Sequence, residues 1–305
     1  MDTKLFRGVF AIPQVAFKEN DGLDYEQTLR CVQFLLDCKV HGMVLPVYAS
    51  ETGSLTEVER NELVRLSLEL VDKRVPVVIG VSSERIQSAR SLAEFACAHG
   101  ADAINTANPT ALSMGEVVDY FKRIDEVIDV PLFIQNLGPA FGGKSMTAEV
   151  MTRIIEQSRN QCYVKEEGAE FLKVMAQMTA YQKSCPEKLL GVFGGQGCRF
   201  LFEEIRRGSV GTMPPSQLAD VMVDIWNLVE EGKQQDAFTL FTKVLPLLLF
   251  FGNNKIPSYK EILKRRGVFT STRCRPLNWP MMDEMAHKDL DFLMEQIEPY
   301  LRVRL

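Results

Sequence analysis

The chain has 305 residues, of which 46% are hydrophobic and 25% are charged, proportions typical of a soluble globular protein with a large core. Its formal net charge is only −5, which excludes a general electrostatic surface for nucleic acid or an anionic membrane. The most apolar segment, residues 244–251, contains Pro246 and is too short to span a bilayer, so it is interpreted as part of a buried helix.

Short apolar strands alternate with longer amphipathic helices through the first two thirds of the chain. The strand segments are rich in β-forming residues and apolar on both faces, which is typical of a parallel sheet covered by helices. The predicted strands are residues 8–13, 42–47, 75–81, 103–107, 131–135, 162–165, 189–193 and 210–213.

The helices between these strands have recognisable ends. Asp24 predicts the N-cap of the first helix, and Thr56 with Glu59 forms a capping-box pattern at the start of the second. Gly100 after His99 is the usual left-handed stop for the third helix. Further helices are predicted at residues 115–127, 147–157, 169–183 and 199–206.

Eight strand–helix units by about residue 213 predict a closed (β/α)8 TIM barrel of the α/β class, because a cylinder leaves no edge strands. The remaining residues contain no convincing strand and predict packed helices at 217–231, 234–251, 258–265 and 281–301. We therefore expect a barrel over residues 1–215 and a C-terminal helical extension over residues 216–305, which together form one structural unit.

The cysteines and histidines favour no metal centre and no disulfide framework. Seven cysteines are scattered without a CxxC pair, and three histidines lie far apart in sequence. The N-terminal residues lead into no long apolar segment. We expect mostly buried thiols, a cytoplasmic location, and neither a metal nor a cofactor.

Lys165 is the first candidate for chemistry, since the active site of a (β/α)8 barrel lies where its strands end. It closes the sixth predicted strand, where partial desolvation would favour the neutral amine needed to attack a carbonyl group. Glu167 has the same parity along the chain and would face the same pocket if the strand continues. From these residues alone, a solvated lysine and a solvated loop carboxylate remain alternatives.

A series of motifs in chain order resembles the dihydrodipicolinate synthase and N-acetylneuraminate lyase superfamily. The motifs include Ser50-Glu51 with Glu59-Arg60 after the second strand, and Val164-Lys165-Glu166 at the sixth; further matches are residues 7–13, 17–24, 55–56, 100–102, Lys260 and 275–277. The resemblance implies a (β/α)8 barrel, a Schiff base formed by Lys165, a small 2-keto acid as ligand, and a homotetramer.

Departures from this pattern indicate which members of the superfamily the chain resembles. The family's GTTGE segment aligns with residues 47–51 and keeps only the glutamate, Gln135 stands where the family has its proton-shuttling tyrosine, and the paired tyrosines fall near Thr110 and Ala111. These differences argue against dihydrodipicolinate synthesis and sialic acid cleavage. Ser50-Glu51, Gln135 and Lys165-Glu166-Glu167 resemble the L-2-keto-3-deoxyarabonate dehydratases, which implies dehydration of a 2-keto-3-deoxy sugar acid.

On that basis Lys165 is expected to condense with the C2 ketone, so that the resulting iminium acidifies the C3–H bond. Glu167 is the candidate for moving protons. Tyr48 could replace the missing phenol, with barrel packing as the alternative role. Glu51 is expected to be structural, accepting backbone N–H bonds in its turn.

The binding residues are expected at neighbouring strand ends. Ser50 and Ala49, with the backbone N–H groups around them, are candidates for the substrate carboxylate. Gln135 and Asn136 can only hydrogen-bond, so they would orient the substrate without moving protons. Gly195, in a glycine-rich segment after the seventh strand, would let the backbone approach the substrate, or would simply form a tight turn.

Other functions are weighed against a dehydratase. An aldolase of the same superfamily and a non-catalytic 2-keto acid sensor both fit the barrel, but a sensor has no need of the Lys165 amine. Residues 138–145 match the P-loop pattern GxxxxGKS, which would cradle a nucleotide phosphate. The eight-unit alternation and the absence of a clear magnesium-binding strand argue against nucleotide binding.

Overall fold

Ten β-strands are present in the computed structural model, which describes residues 5–275, 279 and 281–304. Eight of them close into a parallel barrel in chain order, and the second and third form a separate antiparallel pair. The strands are β1 (Gly8–Ala11), β2 (Ala16–Phe17), β3 (Leu23–Asp24), β4 (Gly42–Leu45), β5 (Val77–Gly80), β6 (Ala103–Ala107), β7 (Leu132–Leu137), β8 (Cys162–Glu167), β9 (Leu189–Gly194) and β10 (Gly211–Thr212).

One helix follows each barrel strand, and two more follow the barrel. The helices are α1 (Tyr25–Asp37), α2 (Glu57–Val71), α3 (Ile86–Ala98), α4 (Met114–Asp125), α5 (Ala148–Gln157), α6 (Phe171–Ser184), α7 (Leu201–Arg206), α8 (Ala219–Glu230), α9 (Gln234–Arg265) and α10 (Glu284–Ile297). The Asp24 side chain accepts from the Gln27 N–H at the start of α1, and Thr56 with Glu59 forms the capping box of α2. These contacts satisfy N–H groups that a helix leaves free in its first turn.

The predicted (β/α)8 barrel is confirmed, and each predicted strand segment overlaps one barrel strand, although β7, β8 and β9 continue one or two residues further than predicted. The β2–β3 pair was not predicted, because two strands of two residues each are too short to show an alternating pattern. It joins β1 to α1 without entering the barrel.

Three helices follow the last barrel strand. Helix α8 comes directly after β10 and packs against β1, and α9 and α10 follow it. The division into a barrel over residues 1–215 and a helical extension over residues 216–305 stays a prediction.

Helix α9 consists of two helical segments joined at a kink, in agreement with the two helices predicted at 234–251 and 258–265. The chain leaves helical geometry only at Lys255, whose φ of 47° and ψ of −141° lie two residues before Pro257. Among the described residues, α9 alone has the length and apolar composition of a membrane span. This property does not by itself indicate a membrane, because core helices of soluble proteins share it.

Two apolar layers hold the barrel together, one between the strands and the helices and one inside the cylinder. The inner layer contains a cluster of aromatic rings with centroid separations between 4.7 and 5.9 Å, formed by Phe10, Phe133, Tyr163 and Phe193. Since Phe133 and Tyr163 precede Gln135 and Lys165 by two residues on their strands, the cluster closes the barrel beneath the carboxyl end of the sheet.

Candidate active site

Lys165 and Glu167 both point into the barrel near the carboxyl end of β8. Side chains alternate along a strand, so Tyr163, Lys165 and Glu167 share the inner face. Lys165 is 3% exposed and Glu167 5% exposed, and Lys165 Nζ lies 3.0 Å from Glu167 Oε2. The strand continues to Glu167, as the parity argument required. The alternatives of a solvated lysine and a solvated loop carboxylate do not fit this burial.

Neighbouring strands fix the Glu167 carboxylate. Gln135 Nε2 donates to Oε2 at 2.8 Å, and the Gln196 backbone N–H donates to Oε1 at 3.2 Å. Gln135 is itself oriented by Asn105, whose Nδ2 donates to Gln135 Oε1 at 2.9 Å. With Lys165, these groups give the carboxylate a defined position in a buried site, which proton transfer requires.

Gly195 leaves the space that the Glu167 carboxylate occupies. A Cβ atom on Gly195 would lie 2.3 Å from Glu167 Oε1, so any side chain there would displace the carboxylate. The glycine was expected to bring the backbone close to the substrate. In the structure its missing side chain makes room for Glu167.

Asn136 does not join Lys165, since it lies on the outer face of β7. Its Nδ2 donates to both oxygens of Glu166 and to the Met146 carbonyl, at 2.9 to 3.0 Å. The expected contact between Asn136 and substrate is therefore not supported, because the alternation of the strand turns this side chain to the helix layer. Burial raises the pKa of Glu166 to about 8, while the hydrogen bond from Asn136 opposes that rise.

The turn after β4 contains Tyr48, Ala49 and Ser50 in one 3-10 helix. Ser50 is buried, its hydroxyl donates to the Pro13 carbonyl at 2.7 Å, and its N–H donates to the Val47 carbonyl at 2.8 Å. Both donors expected to bind the substrate carboxylate are thus engaged within the protein. The N–H groups of Tyr48 and Ala49, in the first turn of this short helix, make no hydrogen bond with a described residue.

Glu51 links its turn to the C-terminal part of the chain, which is a structural role. It forms a buried ion pair with Lys260 of α9 and accepts from the Arg275 backbone N–H at 2.9 Å. The expected backbone contact is present, although its donor lies far along the chain and not in the turn itself. The matched residues Pro276 and Leu277 lie outside the described residues.

A cavity of about 830 Å³ opens above these residues at the carboxyl end of the barrel. Gln135 lines it and connects it to Glu167 and Lys165. Tyr48 also lines it, and its ring meets those of Phe141 and Trp279 edge-on at 5.7 and 6.0 Å. Other lining residues are Val47, Glu51, Thr52, Gly53, Ser54, Ser82, Ala107, Leu137, Asn253 and Lys255. The volume suits a small organic acid.

Sequence reasoning missed several residues at this site. Asn105 interrupts an apolar strand on its inner face, and that alternation could have revealed it. Gln196 lies within the glycine-rich segment that was noted only for its glycines. Arg199, Lys255 and Tyr259 line a second cavity beside the first, and no local pattern indicates that they belong there.

The P-loop alternative is not supported by the geometry. Lys144 Nζ donates to the Leu112 carbonyl at 3.1 Å, and α5 begins at Ala148, beyond the GKS residues. Over residues 5–275, 279 and 281–304, no group of three or more His, Cys, Asp or Glu side chains could hold a metal ion.

The buried Lys165 and Glu167 lie at the carboxyl end of a closed barrel, which is where the active sites of (β/α)8-barrel enzymes lie. The model of the dihydrodipicolinate synthetase family matches residues 5–296. The chain therefore belongs to the dihydrodipicolinate synthetase family and is a lyase of that family.

Its curated relatives differ in activity. The chain is 25% identical to an L-2-keto-3-deoxyarabonate dehydratase of Azospirillum brasilense, over 90% of this chain and 89% of the relative. It is 26% identical to a probable 2-dehydro-3-deoxy-D-pentonate aldolase of Escherichia coli, with 90% and 91% covered. A 4-hydroxy-tetrahydrodipicolinate synthase of Phocaeicola vulgatus is 28% identical, with 78% and 80% covered.

The fold agrees with solved structures of the family. A dihydrodipicolinate synthase from Rhodopseudomonas palustris superposes with a TM-score of 0.87 at 25% identity, covering 95% of this chain and 97% of that one.

Proposed function

We propose that this chain is a Schiff-base lyase that dehydrates a 2-keto-3-deoxy sugar acid, with Lys165 as the amine and Glu167 as the proton-transfer group. The observation that supports this most directly is the 3.0 Å contact between the buried Lys165 Nζ and Glu167 Oε2. It couples a nucleophile to a group that can accept its proton.

In the first step of the proposed reaction, Glu167 takes a proton from Lys165, and the free amine attacks C2 of the keto acid. The adduct oxygen takes one proton from the nitrogen and the other back from Glu167, and it leaves as water, so that an iminium forms and Glu167 is again a carboxylate. The iminium draws electrons from the C3–H bond. We assign binding of the C1 carboxylate to the Tyr48 and Ala49 N–H groups, because neither donates to a described residue.

In the second step Glu167 removes the C3 proton, and the resulting enamine expels the C4 hydroxyl group, which leaves as water with a proton from Glu167. Hydrolysis of the conjugated iminium then frees the product and restores the Lys165 amine. The net change is the loss of one water molecule across C3 and C4. Gln135 moves no proton and keeps Glu167 beside Lys165 through its 2.8 Å hydrogen bond to the carboxylate.

An aldolase is the second candidate, favoured by the similarity to the probable pentonate aldolase. Both reactions share the iminium and differ in whether the C3–H bond or the C3–C4 bond breaks. Gln135 at the position of the family tyrosine favours dehydration, because it leaves Glu167 as the proton-transfer group beside the amine.

The test is intact mass after borohydride treatment of the native protein with pyruvate and with a five-carbon 2-keto-3-deoxy acid. A reduced adduct on the unaltered protein and none on Lys165→Ala is the expected result. Turnover of the same acid then distinguishes the two reactions, since dehydration retains all five carbons and aldol cleavage releases pyruvate. Absence of an adduct with either acid would overturn the Schiff-base proposal.

The remaining parts of the proposal concern the cellular form of the enzyme. All seven cysteines are free thiols in the structure, which agrees with the proposed cytoplasmic location. The proposed homotetramer would have four times the chain mass of 34.5 kDa in light scattering.

A further inference from the structure

We infer that the substrate ends in a second carboxylate, bound by Arg199 and Lys255, so that the substrate class is a 2-keto-3-deoxy sugar diacid. The site is a cavity of about 110 Å³ beside the main one. Tyr48 and Lys255 line both cavities, which makes the small one a continuation of the large one. This inference rests on the proposed function, since it assigns the far end of the same substrate.

Two cations line the small cavity without a carboxylate partner. Neither Arg199 nor Lys255 forms an ion pair with any residue that the structure describes. Arg199 Nε and Nη2 donate to the carbonyl and the side-chain oxygen of Gln196 at 2.9 and 3.0 Å, both neutral acceptors. Its Nη1 donates to no described residue, so one edge of the guanidinium remains available to an anion.

The conformation of helix α9 brings Arg199 and Lys255 to the small cavity. Arg199 Nη1 lies 3.0 Å from the position that a Cβ on Gly252 would occupy, so the glycine leaves room for the guanidinium. Three residues later the helix breaks at Lys255, which takes a left-handed φ of 47°. A non-glycine residue in that region is strained, and such strain is concentrated at functional positions. The break places Lys255 at the wall that both cavities share.

Gln196 connects Arg199 to Glu167. Its backbone N–H donates to Glu167 Oε1 at 3.2 Å, while its side chain accepts from Arg199 at 3.0 Å. The contacts therefore run from Lys165 to Glu167, from Glu167 to Gln196, and from Gln196 to Arg199. A substrate bound at C2 by Lys165 and at its far end by Arg199 would extend across the carboxyl end of the barrel.

The polar groups around the small cavity suit a hydroxylated diacid. Gln217 lines it, and the buried Gln217 Oε1 accepts no hydrogen bond from a described residue, which leaves an acceptor for a substrate hydroxyl group. The carboxylate of Glu167 is already neutralised by Lys165 at 3.0 Å. The two unpaired cations thus leave the site positive, which favours a second anionic group.

The experiment uses borohydride trapping with stable keto acids, so that it measures binding and not turnover. Each of 2-oxoglutarate, 2-oxoadipate and 2-oxopimelate is paired with the 2-oxo monoacid of the same length, and the half-saturating concentration for the Lys165 adduct is read by intact mass. We expect at least one diacid to saturate the unaltered protein at a concentration about 10-fold lower than its monoacid, as one charge-assisted hydrogen bond would give.

Arg199→Gln and Lys255→Gln are each expected to reduce that preference to less than about 3-fold while still trapping the monoacids, which shows that both variants fold. Lys122→Gln, an exposed lysine on α4 that lines neither cavity, should behave as the unaltered protein. Equal saturation by diacids and monoacids, or a preference that survives both substitutions, would overturn the diacid site and leave the Schiff base intact. No adduct with any acid would overturn the proposed function, and the diacid site with it.

Discussion

At the scale of single residues, Glu167 is the group to which we assign proton transfer in the proposed reaction. It is the only described carboxylate in contact with Lys165, at 3.0 Å, and Gln135 and Gln196 hold it there. Glu166, one residue earlier, faces the helix layer and is bonded to Asn136. Neighbouring residues of β8 therefore place the Glu167 carboxylate in the candidate site and the Glu166 carboxylate in the helix layer.

Glu167→Gln is expected to lower kcat by about 100-fold or more while Lys165 is still trapped by borohydride, because the amide oxygen can still accept a hydrogen bond but the amide moves no proton. Turnover of a 2-keto-3-deoxy acid and adduct mass are the two measurements. Glu170→Gln, a surface partner of Lys173, is the control and should leave both unchanged. A kcat within about 3-fold of normal would remove Glu167 from the proton-transfer role.

Gly195→Ala is expected to lower kcat by about 10-fold or more, since the added Cβ would lie 2.3 Å from Glu167 Oε1 and push it away from Lys165. The melting temperature should change little, because the displaced group lies beside a cavity. Gly115→Ala, with no atom within 4 Å of its new Cβ, is the matched control and should retain full activity. Normal turnover by Gly195→Ala would show that Glu167 tolerates displacement.

At the scale of elements, the turn after β4 is joined to the C-terminal extension. Glu51 pairs with Lys260 of α9, and Arg275 bonds both Glu51 and Glu59 of α2. These contacts bridge segments more than 200 residues apart, so the extension braces a loop that lines the main cavity.

Lys260→Met is expected to lower the free energy of unfolding by about 3–5 kcal/mol, because it leaves the buried Glu51 carboxylate without its partner. Lys264→Met, an exposed lysine on the same helix, is the control and should change it by less than about 0.5 kcal/mol. Chemical denaturation of both variants, with the double variant Glu51→Gln/Lys260→Met, makes the comparison. If the double variant is no more stable than Lys260→Met alone, the cost does not come from an unpaired carboxylate.

At the scale of the whole molecule, buried acids make stability depend on pH. Glu204 of α7 is fully buried, and neither of its carboxylate oxygens makes a hydrogen bond with a described residue. Burial, followed by the nearby charge of Glu167, raises the pKa of Glu204 to about 8. Since the folded protein holds this proton more tightly than the unfolded chain, the stabilisation is complete below the unfolded pKa and is lost as pH rises through about 8.

Glu204→Gln should therefore be as stable as the unaltered protein near pH 4.5 and more stable near pH 9, by on the order of 1 kcal/mol or more. Thermal unfolding across that interval is the measurement. Glu203→Gln, the neighbouring residue on the same helix, serves as the control. A difference that does not grow with pH would show that Glu204 is ionised in the folded protein at neutral pH.

Much of the fold could be predicted from the sequence because barrel strands and helices are local patterns. Eight buried strands, the Asp24 and Thr56 caps and the parity of Lys165 with Glu167 all depend on residues within a few positions of one another. Strand periodicity is steric, so it places Glu167 on the face of Lys165 whatever surrounds it. The same alternation places Asn136 on the face of β7 opposite to that of Gln135, which the sequence alone could also have shown.

Only the tertiary structure decided which distant groups share the site. The partners of Glu167 come from β7 and from the loop after β9, the Glu51 partner comes from α9, and Arg199 meets α9 at Gly252. None of these contacts has a local signature, because closing the barrel and folding α9 across it bring together residues that are far apart along the chain. The sequence determined the barrel and the position of Lys165 near the end of its strand, whereas three-dimensional packing decided which groups surround that lysine.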